Sequence, residues 1–305
     1  MDNLISDQTS EQPDQDLGAI VSEIAGAGLQ KESFSRLSYE AYSMVNGPDK
    51  LRALVSDWGV VAGSIPSSAD AGAILGYFQM ILGDLDAAKA TLESSSSSDW
   101  AAYWLCRILL GKKMSAEALA IANKFQGASS ASVDFAYVAV EALLQGGNLE
   151  DAGKILDSLR SREGESSQFA YCSGLCSESA GDYREAIDSF QRAVEIDDDN
   201  FEAHFRLGYL LGFHATEEEE EDGLALKSYE KCLQARPINT HVVMNLGILY
   251  EDCERYHDAI QCFQAVLKHH PTDPRAKLYL EDAVASTTMF YDKEQEKKAD
   301  RQSQV

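Results

Sequence analysis

The feature that most constrains this chain is an internal repeat. Alanines that open amphipathic stretches follow one another in steps of 30, 34, 34, 39 and 34, at Ala88, Ala118, Ala152, Ala186, Ala225 and Ala259. A second column of small residues has steps of 30, 34, 34, 34 and 39, at Gly76, Cys106, Val140, Gly174, Gly208 and Gly247. Both columns contain the same shorter step of 30 and the same longer step of 39, so the whole unit repeats. The commonest step, 34 residues, gives its length. A repeat of this length predicts a stacked array of similar units.

Each unit is predicted to consist of two helices joined by a tight turn. Three turns share one pattern: Gly83-Asp84-Leu85, Gly147-Asn148-Leu149 and Gly181-Asp182-Tyr183. Glycine ends the first helix, Asp or Asn caps the second, and an apolar residue begins the new face. The small column lets the first helix (helix A) approach the second (helix B) closely. The longer step of 39 places an acidic insertion at residues 217–221.

The best-preserved unit resembles the tetratricopeptide repeat. Its matching positions are Val243, Leu246, Gly247, Tyr250, Ala259, Phe263 and Pro271, in the pattern W-x2-L-G-x2-Y…A…F…P. The resemblance implies an all-α, right-handed α-solenoid of about seven helix pairs with N- and C-terminal capping helices. We expect a disordered acidic N-terminus at 1–16, the superhelix with its caps at 17–288, and a linker or exposed helix at 289–305.

The two ends of the array need apolar caps, since each repeat buries its face only against a neighbour. Residues 17–29 are apolar at helical spacing and are expected to cap the first repeat. At the other end, Leu278, Leu280, Ala283 and Val284 are expected to seal the last repeat. We also expect Met289 to dock on that repeat together with the two aromatic residues that follow it.

Net charge bears on the class of partner. The chain carries 50 acidic and 26 Lys and Arg side chains, a net charge of −24. Such a surface repels phosphate groups, so we expect no direct nucleic-acid binding by this chain and no membrane association. The N-terminus is acidic where a secretory signal would be basic and then apolar, which favours a cytoplasmic location.

Catalysis has little support in the sequence. It contains no phosphate-binding G-x-x-x-x-G-K-[ST], no H-E-x-x-H and no G-x-S-x-G. Cys172 and Cys176 share one helix face, as do Cys253 and His257, but zinc needs about four converging ligands. We therefore expect no enzyme activity, no cofactor and no metal site. An enzyme or metalloprotein that uses these positions is the rival hypothesis.

A column of aromatic residues supplies the candidate binding site. Tyr103, Tyr137, Tyr171 and Phe205 follow one another in equal steps of 34 and occupy the fifth position of helix A. The second, fifth and ninth positions form one stripe, turned away from helix B. We call this stripe the ladder and predict that it lines a concave protein-binding groove, whose residues are Trp100, Tyr103, Arg107, Tyr137, Glu141, Tyr171, Phe205, Tyr209, His241 and Met244. The alternative is that these rings are core, as aromatic stripes usually are.

The ladder composition restricts what the groove holds. Some tetratricopeptide proteins hold the carboxylate end of chaperone tails with Lys and Asn at the fifth and ninth positions. Here those positions are aromatic, aliphatic or acidic, with Arg107 as the exception. We therefore expect a protein or peptide partner with an apolar or basic segment, bound in extended form or as an amphipathic helix. Self-assembly through the ladder is a further alternative.

The C-terminal part carries a second resemblance. From 245 to 305 the sequence resembles a group of bacterial tetratricopeptide proteins whose array leads into a domain like the C-terminal domain of the RNA polymerase alpha subunit. That DNA-binding domain is not present in these 305 residues. The resemblance implies, as the alternative function, a transcription-associated protein with the transcription machinery as partner and the DNA-binding domain downstream of residue 305.

Overall fold

The chain folds into α-helices throughout the part that can be described. A computed structural model describes residues 16–43, 47–125, 132–214, 219–235 and 239–303. Its helices are α1 (Leu17–Gly26), α2 (Lys31–Ser43), α3 (Gly47–Ser56), α4 (Trp58–Ala62), α5 (Ser68–Ile81), α6 (Leu85–Ser94), α7 (Asp99–Gly111), α8 (Ser115–Phe125), α9 (Ser132–Gln145), α10 (Leu149–Glu163), α11 (Ser167–Ala180), α12 (Tyr183–Ile196), α13 (Phe201–His214), α14 (Glu219–Ala235), α15 (Thr240–Asp252), α16 (Tyr256–His269) and α17 (Pro274–Ser303).

These helices form the predicted pairs. Seven pairs are present in the described residues: α2/α3, α5/α6, α7/α8, α9/α10, α11/α12, α13/α14 and α15/α16. Helix α1 precedes the first pair and α17 packs on α16. The short helix α4 belongs to no pair and was not predicted. The all-α, tetratricopeptide-type solenoid is thus confirmed, while the domain boundaries remain predictions.

The chain divides into two compact units, Thr9–Asp198 and Asp199–Val305, here called the N-terminal and C-terminal units. In the N-terminal unit the A helices α5, α7, α9 and α11 contact one another in order, and each is also packed on its own B helix. In the C-terminal unit α13 contacts α15 in the same way. Each unit therefore presents a surface made of A helices, and this is the surface that carries the ladder.

Small residues bring helix A and helix B together as the sequence predicts. A Cβ atom added at Gly174 would lie 2.7 Å from the Phe190 ring, and one at Gly247 would lie 2.6 Å from the Phe263 ring. Both rings are completely buried. The opposing alanine column is also fully buried, at Ala88, Ala118, Ala152, Ala186, Ala225 and Ala259. The close approach of the two helix backbones thus fixes the angle between helix A and helix B. That angle in turn orients the face of helix A that is turned away from helix B.

The turns within the pairs have the predicted chemistry. Gly181 has φ +83°, and the next residue, Asp182, accepts a hydrogen bond from the backbone N–H of Glu185. Asp84 and Asn148 cap α6 and α10 in the same way. Glycine therefore ends one helix, and a short polar side chain begins the next by accepting a hydrogen bond from a backbone N–H of its first turn.

The C-terminal cap differs from the expectation. Ala276 and Ala283 are fully buried, and the Tyr279 ring stacks on Phe263 with centroids 5.6 Å apart. Leu278 is 57% exposed and Val284 is 48% exposed, so the prediction that they seal the last repeat is wrong. The four predicted residues do not all fit on one helix face of about 100°. The face of α17 that packs on α16 contains Ala283 together with Tyr279 and Ala276, four and seven residues before it.

The predicted docking of the cluster that begins at Met289 is also wrong for Met289, whose side chain is 61% exposed. Helix α17 runs on without a break to Ser303. The predicted disordered segment 1–16 falls almost entirely outside the described residues, as does the start of the acidic insertion at 217–221. None of the described helices combines the length and the apolar character needed to cross a bilayer.

Candidate functional site

The ladder residues of the N-terminal unit lie on α7, α9 and α11, side by side on the A-helix surface. Their rings are buried: Trp100 is 8% exposed, Tyr103 6%, Tyr137 4% and Tyr171 5%. The Tyr137 hydroxyl lies 3.3 Å from the Ser166 hydroxyl, so its polar end is satisfied within the fold. Burial raises the pKa of Tyr103. These rings are packed, as in the core alternative that the sequence left open.

The start of helix α2 accounts for part of this burial. The indole Nε1–H of Trp100 donates a 3.0 Å hydrogen bond to the Leu29 carbonyl. Phe34 is completely buried, with its ring centroid 5.2 Å from Tyr77, 5.7 Å from Trp100 and 5.1 Å from Trp104. The ladder therefore continues into an aromatic cluster that encloses a residue from the N-terminal end of the array.

Charged side chains on the same surface pair with one another. Arg107 donates two hydrogen bonds to the Glu141 carboxylate, at 2.6 and 2.8 Å, and both side chains are mostly buried. They are the ninth-position residues of adjacent repeats. Bidentate pairs of this kind hold both groups in a fixed geometry. The one basic ladder residue is therefore neutralised within the fold.

The ladder residues of the C-terminal unit are more accessible. Phe205 and Tyr209 on α13 are half-buried, and His241 on α15 is exposed, whereas Met244 is 6% exposed. Phe205 stacks on Phe201 with centroids 6.4 Å apart, and Tyr209 contacts Phe213 at 5.1 Å. Phe213 is itself 37% exposed.

Sequence reasoning missed several residues of this surface. Phe201 and Phe213 flank the predicted Phe205 and Tyr209 at intervals of four residues, which is a readable helical stripe. We call these four aromatic residues the α13 stripe. Lys31 and Phe34 carried no such signal because they belong to a degenerate repeat, and Trp104 stands outside the second, fifth and ninth positions. Tyr77 follows Gly76 of the small column and so occupies a ninth position, but its repeat is also degenerate.

Three cysteines of the N-terminal unit have raised thiol pKa values because of burial. Burial raises the pKa of the Cys106 thiol to about 12 and that of Cys176 to about 11, and it raises the pKa of Cys172 well above its ordinary value. Raised pKa values disfavour the thiolate that nucleophilic catalysis and metal binding need. Within the described ranges, no group of three or more His, Cys, Asp or Glu side chains is arranged to hold a metal ion.

Comparison with protein families identifies the repeat. Residues 179–212 match the family model described as "TPR repeat", and residues 242–275 match the one described as "Tetratricopeptide repeat". The chain therefore contains tetratricopeptide repeats. The second match contains every residue of the best-preserved predicted unit. Tetratricopeptide arrays are protein–protein interaction scaffolds, and this defines the general class of function.

Solved structures share the fold of this chain over most of its length. A tetratricopeptide repeat protein from Parabacteroides merdae ATCC 43184 is similar with a TM-score of 0.51 and 13% identity, over 88% of this chain and 100% of that one. The Cut9–Hcn1 hetero-tetramer of the APC/C is similar with a TM-score of 0.50 and 15% identity, over 87% of this chain and 52% of that one. At these identities the likeness concerns the fold alone.

Curated relatives match a shorter part. The photosystem I assembly protein Ycf3 of Synechococcus sp. (strain CC9605) is 27% identical over 81 residues, which is 27% of this chain and 46% of that protein. Ycf3 of Prochlorococcus marinus (strain MIT 9215) is 27% identical over 86 residues, 28% of this chain and 49% of that protein. The chain therefore spans about half the length of the curated relatives that it matches.

Proposed function

We propose that this protein is a scaffold that binds an apolar or basic segment of a partner protein on its A-helix surface. The α13 stripe is the observation that carries the proposal. Phe205 and Tyr209 of the predicted groove are half-buried, as is Phe201, and Phe213 is 37% exposed, so the stripe offers aromatic surface that the buried rings of the N-terminal unit do not. Aromatic side chains supply a large contact area at low entropic cost, and they are enriched where proteins bind one another.

The chemistry of the segment follows from the net charge of the chain and from the aromatic character of the stripe. The whole chain has a net charge of −24, so a basic segment is attracted over a distance and an acidic one is repelled. Aromatic faces also accept Lys and Arg side chains through cation–π contacts. An amphipathic helix or an extended strand with apolar and basic residues satisfies both requirements.

Selection from a random peptide display library, with the full chain as target, tests the proposal. We expect enrichment of peptides that combine Lys or Arg with apolar side chains, and depletion of acidic ones. The double substitution Tyr209→Ala/Phe213→Ala should weaken binding of the selected peptides about tenfold or more, because removing a contact ring costs ~1–2 kcal/mol or more.

The control is Tyr183→Ala. Tyr183 is 40% exposed, close to the exposure of Phe213, but it lies on the B helix α12. Its replacement should leave peptide affinity unchanged. Enrichment of acidic peptides, or an equal loss of affinity in the control and in the stripe variant, would contradict the proposed surface.

The proposed scaffold function includes a role in the assembly of a protein complex. The curated relatives are photosystem I assembly proteins by name. A scaffold that holds one protein segment while other components join would act in the same general way. The transcription-associated role remains the alternative that the C-terminal resemblance implies.

A further inference from the structure

The beginning of helix α2 makes contacts that its place in the array does not explain. Helix α2 is the A helix of the first pair, and its sequence neighbour among the A helices is α5. Neighbouring repeats in a solenoid contact one another and not distant ones. Yet the Lys31 ammonium donates a 3.2 Å hydrogen bond to Gln168 on α11 and lies 3.8 Å from the Asp134 carboxylate on α9.

These two contact residues are ladder positions. Asp134 and Gln168 occupy the second position of helix A in adjacent repeats, one repeat length apart. Lys31 therefore sits on the surface predicted to hold a partner, beside the buried rings of the N-terminal unit. Its positive charge is near enough to Tyr103 to lower the pKa of that phenol against the opposing effect of burial.

An aromatic pocket receives the residue three positions later. The Phe34 ring is enclosed by Tyr77, Trp100 and Trp104, and Trp100 also hydrogen-bonds the Leu29 carbonyl just before the helix. The buried Nε1–H of Trp104 has no hydrogen-bond acceptor among the described residues. Buried donors are rarely left unsatisfied, so this pocket still has a polar group to offer a different occupant.

We infer that this part of the A-helix surface is a recognition site for the start of a helix with a lysine and, three residues later, an aromatic ring, and that the chain fills it with its own α2. This inference rests on the proposed function, since it assigns a regulated part of the same surface. A partner helix with the same chemistry binds here only when it displaces α2. A tethered segment competes at an effective concentration of order millimolar, so the closed form disfavours weak partners.

The probe for this inference is a labelled synthetic peptide of residues 28–43, added to the full chain. The open variant carries Lys31→Glu and Phe34→Ala, which place a carboxylate against Asp134 and empty the aromatic pocket. We expect the probe to bind the open variant saturably and to bind the unmodified chain at least about tenfold more weakly, because the tethered copy occupies the site. Fluorescence anisotropy measures both affinities.

Two changes in the site should act in opposite directions. Gln168→Glu, added to the open variant, supplies a second carboxylate for the probe lysine and should tighten binding several-fold. Asp134→Lys should abolish binding of the probe and allow binding of a probe that carries Lys31→Glu. If Asp134→Lys only loosened the packing of the site, reversing the charge of the peptide would not restore binding. The charge exchange therefore distinguishes loss of specific recognition from loss of structure.

Folding of the variants is checked by their cooperative thermal melts. If the open variant is unfolded at the assay temperature, Lys31→Glu alone replaces it, because that side chain is 37% exposed and its substitution leaves Phe34 in place. A folded variant that does not bind the probe, or equal affinity of the variant and the unmodified chain, overturns the inference. Such a failure leaves the peptides selected on the α13 stripe unaffected, so it is distinct from failure of the proposed function.

Discussion

Two residues in the turns between helices adopt a backbone conformation that glycine prefers. Lys113 has φ +59° and Glu254 has φ +57°, at the turn position that Gly83, Gly147 and Gly181 occupy in other repeats. The left-handed backbone conformation costs roughly 1–2 kcal/mol of free energy for a residue with a side chain, whereas glycine adopts it without this cost. These two repeats therefore carry local strain that their neighbours avoid.

We expect Lys113→Gly and Glu254→Gly each to raise the free energy of unfolding by about 0.5–1 kcal/mol. The relief of strain exceeds the extra entropy that glycine gives the unfolded chain. Urea unfolding of the single variants measures the change. The reverse substitution, Gly181→Ala, is the control and should lower stability by a similar amount. If the glycine variants were less stable than the parent, the turn strain would be refuted.

A buried thiol and a buried phenol predict a loss of stability at alkaline pH. Burial raises the pKa of Cys106 from 9.0 to about 12 and that of Tyr250 to about 12. The folded state keeps these groups protonated, whereas the unfolded chain releases the protons at lower pH. The stabilisation is therefore complete below pH 9 and is lost as the pH rises from there toward 12.

Thermal melts between pH 7 and pH 11 measure this effect. The melting temperature should be nearly constant up to about pH 8.5 and then fall. In Cys106→Ala the fall should be shallower, although the variant is less stable at neutral pH because a buried side chain is shortened. An identical slope in the variant and the parent would show that this thiol has no part in the alkaline loss.

At the scale of the element, the close contact of helix A with helix B determines how each pair is built. Gly174 lies in α11 with no space for a side chain, since an added Cβ would meet the buried Phe190 ring at 2.7 Å. Gly153 lies in the interior of α10 with nothing within 4 Å of an added Cβ. The two glycines thus differ in packing and not in secondary structure.

Replacing each by alanine separates packing from helix propensity. Alanine favours a helix over glycine by ~1 kcal/mol, so Gly153→Ala should stabilise the protein by up to that amount. Gly174→Ala should destabilise it by about 1–3 kcal/mol, because overpacking forces a buried ring to move. Chemical unfolding gives both values. A stabilising Gly174→Ala would mean that α11 and α12 adjust without cost and that the small column is not a packing requirement.

At the scale of the whole molecule, net charge limits what the chain binds. The chain has 50 acidic residues and 26 Lys and Arg residues. It therefore lacks the excess of positive charge that would neutralise phosphate groups and release their counterions, which is what drives binding to nucleic acids. Several of its basic side chains also pair with carboxylates, as Arg107 does with Glu141 and Lys154 does with Glu150 and Asp151.

We expect no measurable binding of this chain to duplex DNA at physiological salt. Fluorescence anisotropy with a labelled duplex, titrated at several salt concentrations, measures it. A basic DNA-binding protein in the same buffer is the positive control. A micromolar complex that weakens steeply with salt would contradict the prediction, and it would give the transcription-associated alternative direct support.

The sequence by itself determined the repeat, the helix pairs and the turns. The regular period, the glycine and alanine columns and the Asp or Asn caps are local patterns, and each repeat has the same neighbours as the next. The same residue type at the same position in several repeats therefore indicates one structural role repeatedly. The sequence alone assigns the structural roles of Gly174, Ala186 and Asp182 in this way.

Only the tertiary structure decided which part of the ladder is covered. The contact of Lys31 with Gln168 joins residues 137 positions apart, and neither the period nor the composition indicates it. Whether distant A helices meet depends on small rotations summed from repeat to repeat, and the first repeats are too degenerate for their geometry to be read from the sequence. Tyr103 and Tyr171 are buried although they share their position with Phe205, which the fold leaves half-buried.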